Sequence, residues 1–307
     1  MTARLTVLPE RPLLLDGSMG QELIKRGVAG HGLLWSAGAL LEAPRAVLEI
    51  HRDYISAGAD IISTNTYAAT RVVLGEAGLD HRFEALNILA CELALEARER
   101  SGRPVRLAGS LPPYQESYRP DLVGCFDEIE PLYREQAALL AQHVDLVLCE
   151  TLSTAEEGRA AAAGASAAGK PVWVSWTLED HLRADGSARL RSGETLDEAV
   201  AALNGLDIAA LLVNCSPPEV IGRAVVQLRS LTRLPVGAYG NAFTPIPPMW
   251  EHHNDADLPP ARTDLGPDAY AGHARDWLDS GAAIIGGCCE IGPAHIARLR
   301  ELIDRRG

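Results

Sequence analysis

The chain has 307 residues, 47% hydrophobic and 22% charged, the balance of a globular protein with enough apolar material for a large core. Its 28 Lys and Arg against 41 Asp and Glu give a formal charge of −13, which argues against nucleic acid and other polyanions as partners. Residues 1–11 lack the apolar core of a secretion signal and the longest apolar runs fall far short of a bilayer span, so a cytoplasmic protein with no membrane contact is expected.

In chain order, a strand is predicted at 12–15 and an amphipathic helix at 44–57, then a strand at 60–63 and a helix at 82–100. Strands at 105–108 and 144–149 flank a helix at 129–142. Residues 160–168, nearly all Ala and Gly, read as a small-residue helix in close packing before a strand at 172–177. Helices at 196–203 and 220–231 then alternate with strands at 209–213 and 236–239. A helix at 270–280, a strand at 283–285 and a helix at 294–305 behind Pro293 complete the series. The long, Pro-rich segment 244–268 contains Trp250, His252, His253, Asp255 and Asp257, and its length suits a lid or a mobile segment on the expected active-site face. Its histidines read as part of a solvated polar loop rather than a second metal site.

Eight apolar strands separated by helices predict an α/β fold, a (β/α)₈ barrel forming one domain over 1–307. A doubly wound open sheet is the alternative. The turn Asp16-Gly17-Ser18-Met19-Gly20 after the first strand does not match the dinucleotide fingerprint, and no Walker A sequence occurs. In a barrel the chemistry sits where strands end, and polar residues fall there: Asp16, Asn65 and Thr66, Ser110, Glu150, Cys215, Asn241, and Cys288 with Cys289.

Six cysteines (Cys91, Cys125, Cys149, Cys215, Cys288 and Cys289) are too sparse for a disulfide scaffold. Three of them converge on one rim. Adjacent thiols can meet one ion only where a strand has ended or bulged, and Gly286 and Gly287 are expected to give that freedom. Three thiolates with an open fourth position make a catalytic zinc site. The competing reading is a buried cysteine pair or vicinal disulfide with Cys215 as an inert core thiol. Cys91, Cys125 and Cys149 are expected to be structural.

Taken in order, Asp-Gly-Ser-Met-Gly-Gln-Glu-Leu (16–23), Thr-Asn-Thr-Tyr (64–67), Ala-Gly-Ser-Leu-Pro-Pro (108–113), Cys-Glu-Thr-Leu (149–152), Val-Asn-Cys (213–215) and Ile-Gly-Gly-Cys-Cys (285–289) resemble the homocysteine S-methyltransferase family. The resemblance spans 12–305 and implies a (β/α)₈ barrel. It implies Zn²⁺ on Cys215, Cys288 and Cys289, with Asn241 able to fill the fourth position until homocysteine arrives. Asp16 and Glu150 would hold the amino-acid end of homocysteine, with the backbone near Gly17 and Ser18 beside it. Trp35 matches an aromatic near the donor pocket, and Tyr67 is expected to join it, because aromatic faces attract cations. Thr66 and Ser110 are expected to line the substrate site. The alternatives are a helix N-cap for Asp16, a turn residue for Asn241 and core packing for Trp35.

The activity implied is methyl transfer from a small onium donor, S-methylmethionine or S-adenosylmethionine favoured, to the homocysteine sulfur. An osmolyte demethylase using a betaine or dimethylsulfonio donor is the second reading, and a noncatalytic zinc- or thiol-binding barrel the third. Folate donors fit poorly, since the barrel takes up the chain. Partners are small molecules only, and self-association is compatible with the sequence.

Overall fold

The computed structural model describes residues 11–28, 32–247, 250 and 258–306. Eight strands form one all-parallel sheet: β1 Leu13–Leu14, β2 Ile61–Ser63, β3 Arg106–Leu111, β4 Leu146–Leu152, β5 Val172–Trp176, β6 Ile208–Asn214, β7 Val236–Tyr239 and β8 Ile284–Ile285. The ladders run in the order β1-β8-β7-β6-β5-β4-β3-β2, and a parallel bridge between Leu15 and Ile61 joins the two ends. The expected (β/α)₈ barrel is therefore the fold. Every residue of β4 and β5 is buried, which is why their leading halves, residues 146–149 and 172–174, read as continuous apolar runs rather than alternating ones.

Around the sheet lie α1 Met19–Lys25, α2 Gly38–Glu42, α3 Pro44–Ser56, α4 Arg71–Glu76, α5 Phe83–Ser101, α6 Phe126–Leu140, α7 Ala155–Ser166, α8 Leu196–Ala202, α9 Pro218–Leu231, α10 Pro267–Asp279 and α11 Pro293–Asp304. Pro opens α3, α9, α10 and α11, where its missing N–H has no helical partner to lose. The Ala-rich segment is α7, and Ala160, Ala161, Ala162 and Ala165 are fully buried, as close packing requires. Among the described residues no helix is long and apolar enough to cross a membrane.

Side chains on each strand alternate between two apolar layers. Leu14, Ile62, Leu107, Val147, Val174, Leu211 and Val213 join the layer under the helices, while Leu15, Ile61, Ala108, Leu146, Leu148, Trp173, Ala210, Leu212, Tyr239 and Ile284 fill the barrel. The lumen is thus packed, and a ligand must enter from a rim.

The seam between β1 and β2 has only one backbone bridge, and two carboxylates reinforce it. Asp60 accepts from Leu14 N at 3.0 Å at one end, and Asp16 accepts from Ser63 N at 2.7 Å at the other. Two strands also run further than their apolar cores: β3 extends to Leu111 and β4 to Leu152, because pairing continues through Leu111 with Cys149 and Leu152 with Trp176. Ser110 and Glu150 therefore lie inside strands, not after them.

Candidate active site

The strand ends surround a cavity of about 480 Å³ lined by Asp16, Gly17, Ser18, Trp35, Tyr67, Ser110, Glu150 and all three rim cysteines. Cys215 follows the last residue of β6, and its backbone N–H donates to Tyr239 O at 3.0 Å. Cys288 N donates to Gly240 O, and Cys289 O accepts from Ala242 N, so the vicinal pair is pinned to the exit of β7. The three Sγ atoms lie within 4.8 Å of one another, with Cys215 and Cys289 3.4 Å apart. Four ligands at about 2.3 Å around a tetrahedral ion stand roughly 3.8 Å from each other, so this triad could hold a metal ion and leave one position open.

All six cysteines are free thiols, so the vicinal pair is not a disulfide here. Cys149 and Cys91 are buried in β4 and α5, while Cys125 is exposed ahead of α6. The freedom expected of Gly286 and Gly287 is one of space rather than of dihedral angle. Neither has a positive φ, but a Cβ on Gly287 would sit 2.1 Å from Ile291 Cγ2.

Strain concentrates around the cavity. Among the described residues, the non-glycine residues with positive φ are Trp35 (44°), Tyr118 (66°), Thr151 (63°), Cys215 (46°) and Glu290 (66°). The first four line the cavity and the fifth follows Cys289. Such conformations cost about 1–3 kcal/mol each and cluster where function requires them.

Opposite the thiols stand two carboxyl groups with little access to water. Burial is the main cause that pushes Asp16 up to about 8, opposed by the Ser63 hydrogen bonds and reinforced by the charge of Glu150. Burial likewise pushes Glu150 up to about 7, against hydrogen bonds from Ser110 Oγ at 2.5 Å and Tyr239 OH at 3.1 Å. A buried, reluctantly ionised pair of acids favours a cationic partner such as an ammonium group. Burial opposes ionisation of Cys215 too, but hydrogen bonds from Cys288, Cys289 and Tyr118 outweigh it and hold this thiol well below its usual range.

Several expected residues sit differently. Ser18, not Asp16, caps α1, its hydroxyl accepting from Gln21 N at 3.2 Å; Asp16 is instead spent on the β1–β2 seam and the cavity wall. Ser18 N is committed to Ile291 O at 3.0 Å. Thr66 is fully buried and does not line the cavity, because its hydroxyl turns to Ser110 O at 2.7 Å. Asn241 lies behind the triad: its Oδ1 accepts from Phe243 N, and its Nδ2 faces Cys215 Sγ at 3.9 Å. In this arrangement it presents an amide N–H, not an oxygen, to the thiol.

Trp35 and Tyr67 are both half-buried on the cavity wall, with Tyr67 OH 2.7 Å from Ser117 Oγ. Of the 244–268 segment, Trp250 and Leu258 also line the cavity, Phe243 pairs with Ala261, and the helix begins at Pro267 rather than beyond 268. His252, His253, Asp255 and Asp257 lie outside the described residues.

Three contributors went unseen in the sequence. Tyr118 donates to Cys215 Sγ at 2.8 Å. Asn214 binds Thr151 N, Thr151 Oγ1 and Ser175 Oγ at 2.7–2.9 Å, tying β4, β5 and β6 together at the mouth. Tyr239, the last residue of β7, reaches Glu150. The only signal for Asn214 was its place in Val-Asn-Cys; nothing in the sequence marks Tyr118.

Comparison with known proteins gives concordant results. The family profile described as homocysteine S-methyltransferase matches residues 13–303. Homocysteine S-methyltransferase of Escherichia coli is 34% identical over 94% of both chains. Homocysteine S-methyltransferase YbgG of Bacillus subtilis is 30% identical over 95% of both. The crystal structure of the homocysteine methyltransferase MmuM from Escherichia coli in its metallated form superposes with a TM-score of 0.79 at 32% identity, covering 96% of this chain and 97% of that one.

Proposed function

The chain belongs to the homocysteine S-methyltransferase family, and on that premise we propose that it moves a methyl group from a small onium donor, S-methylmethionine or S-adenosylmethionine favoured, to the sulfur of L-homocysteine, giving methionine. The observation that carries the reading is the convergence of three thiols within 4.8 Å on the wall of the cavity that also holds Asp16 and Glu150. A donor set of three soft sulfurs, with no fourth His, Cys, Asp or Glu beside them among the described residues, suits Zn²⁺ in a catalytic rather than a structural role. Cys215, Cys288 and Cys289 would hold it. Bound there, zinc supplies a Lewis acid that keeps a substrate thiol ionised at neutral pH.

The chain's own residues do the rest. Asp16 and Glu150 receive the substrate's ammonium group, and Ser110 and Tyr239 fix the Glu150 carboxylate by accepting no proton from it and donating one hydrogen bond each. Gly17 and Ser18 form the wall beside that group. On the donor side, the Trp35 and Tyr67 rings offer electron-rich faces to a sulfonium or quaternary ammonium. The bond from the homocysteine sulfur to the methyl carbon forms as the donor's bond to that carbon breaks. The bonding pair stays with the donor, which leaves uncharged, and the thiol proton goes to solvent. Holding both reactants in line within an enclosed site supplies the orientation that a bimolecular encounter in water lacks.

A reducing cytoplasm, where thiols persist, is the compartment this chemistry needs. The Brassica oleracea selenocysteine Se-methyltransferase, 26% identical over 95% of this chain, adds a selenol acceptor to the readings to test. The experiment is methionine formation by reduced, zinc-loaded protein given homocysteine and a panel of sulfonium, betaine-type and folate donors, with selenocysteine as a competing acceptor. Turnover with S-methylmethionine or S-adenosylmethionine is the expected result. Turnover confined to a betaine or dimethylsulfonio compound would assign the osmolyte-demethylase role instead. Homocysteine binding without turnover of any donor would assign a noncatalytic barrel.

A further inference from the structure

Tyr118 stands 97 residues from Cys215 in sequence, in the segment between β3 and α6, yet its hydroxyl lies 2.8 Å from Cys215 Sγ. Two ligands at about 2.0 and 2.3 Å on one tetrahedral ion would be roughly 3.5 Å apart. At 2.8 Å the phenol oxygen is therefore a hydrogen-bond donor to the sulfur and not a second ligand beside it. The backbone reaches this position only in the left-handed region, at φ 66°, a cost that ordinary packing of a tyrosine does not require.

The ring is held from two sides. The Arg191 guanidinium lies over it, 5.1 Å from the centroid, and Trp250 meets it at 5.7 Å and 65°. Arg191 is itself fixed by Asp180 at 3.0 Å, in a pair only 12% and 9% exposed. The second Asp180 oxygen accepts from Ile246 N at 2.8 Å, at the start of the segment that follows β7. A nearly buried ion pair is weak evidence for stability, since desolvation offsets most of its attraction. What this pair does visibly is to hold a phenol against a thiol.

We propose that Tyr118 is a positioning residue of the metal centre, its hydroxyl fixing Cys215 Sγ towards Cys288 and Cys289 and setting how much negative charge that sulfur gives to a bound ion. The inference rests on the reading of the three cysteines as metal ligands. A hydrogen bond to an ionised sulfur is stronger than one to a neutral acceptor and draws charge away from the sulfur. Groups that orient a ligand in this way are commonly worth about 10–100-fold in metal affinity.

The test is Tyr118→Phe, which keeps the ring, its Arg191 contact and its Trp250 contact, measured without homocysteine or donor. Loaded with Co²⁺, the variant should show its sulfur-to-cobalt charge-transfer band at lower energy than the wild type. Its Zn²⁺ affinity, from competition with a chromophoric chelator, should fall about tenfold, with the melting temperature of the metal-free protein unchanged. A purely structural tyrosine would lower that metal-free melting temperature and leave the band in place. An unmoved band with unchanged Zn²⁺ affinity overturns the proposal. Should Tyr118→Phe fail to fold, Arg191→Met takes its place: a smaller shift in the same direction supports the proposal and an unmoved band overturns it. Failure of wild-type protein to bind Co²⁺ would instead overturn the metal reading, and failure to make methionine would bear only on the reaction.

Discussion

Glu150→Gln should make the substrate-free protein more stable and a worse enzyme. Burial raises the Glu150 carboxyl from 4.5 to about 7, so holding its charged form in the folded chain is unfavourable. Converted at 1.36 kcal/mol per unit, that shift amounts to about 3 kcal/mol at pH 8. Because the folded value is the higher one, the unfolded chain loses its proton first, and the contribution of Glu150 to wild-type stability falls as pH rises from about 4.5 to about 7 before levelling off. Glutamine has nearly the same shape, retains partners in Ser110 and Tyr239, and does not titrate. With an unfolding entropy of about 2.1 cal/mol/K per residue, the variant should melt about 5 °C higher at pH 8 and at nearly the same temperature as wild type at pH 4.5. Loss of a charged hydrogen-bond partner for an ammonium, about 1.5–3 kcal/mol, should raise the homocysteine KM by roughly 10- to 150-fold. Thermal melts across pH 4.5–8 and steady-state kinetics at constant zinc content check both halves. A variant with the same pH slope as wild type, or with an unchanged homocysteine KM, would refute the reasoning.

Three further outcomes are expected. Gly20→Ala would place a Cβ 2.3 Å from the Trp35 ring and displace it; the KM for the methyl donor should rise about tenfold, one cation–π contact, with the homocysteine KM little changed in the same assay. Cys288→Ala should lose zinc and turnover together, and a variant that keeps full activity without metal would contradict the ligand assignment. His51, fully buried with both ring nitrogens unpartnered, has its value lowered from 6.5 to about 4 by burial. It stays neutral when folded, so its own contribution to stability falls by about 2.5 kcal/mol as pH drops from 7 to 4.5, opposite in sign to that of Glu150; His51→Leu should therefore gain about that much on wild type between pH 7 and pH 4.5 in urea melts, and equal slopes would count against it.

The barrel was legible because parallel strands buried on both faces carry continuous apolar runs, and the eight runs map onto the eight strands. Their ends were less legible. Polar Ser110 and Glu150 interrupt the apolar pattern, so both read as lying beyond their strands, although backbone pairing carries on through Leu111 and Leu152. Cys215, Cys288 and Cys289 were visible as candidates from residue type and place, since thiols at the exits of two strands share one rim if the barrel closes, while the family resemblance was what favoured a metal over a buried cysteine pair. Thr66 carried the same positional signal, yet its hydroxyl turns away to a carbonyl of β3. A strand-end position fixes where a residue sits but not which way a short polar side chain points. Tyr118 had no signal at all: its placement depends on a positive φ in an irregular segment and on Arg191, 73 positions further along the chain.

The measurement that bears most directly on the metal-centred account is zinc stoichiometry with X-ray absorption of the reduced protein, before and after homocysteine, on a sample assayed for methionine formation. One zinc per chain with three sulfur neighbours near 2.3 Å, four once homocysteine is added, and activity lost to chelation and restored by Zn²⁺ is the predicted result. Methionine formation by protein that carries no metal, or a sulfur count that homocysteine leaves unchanged, would contradict it.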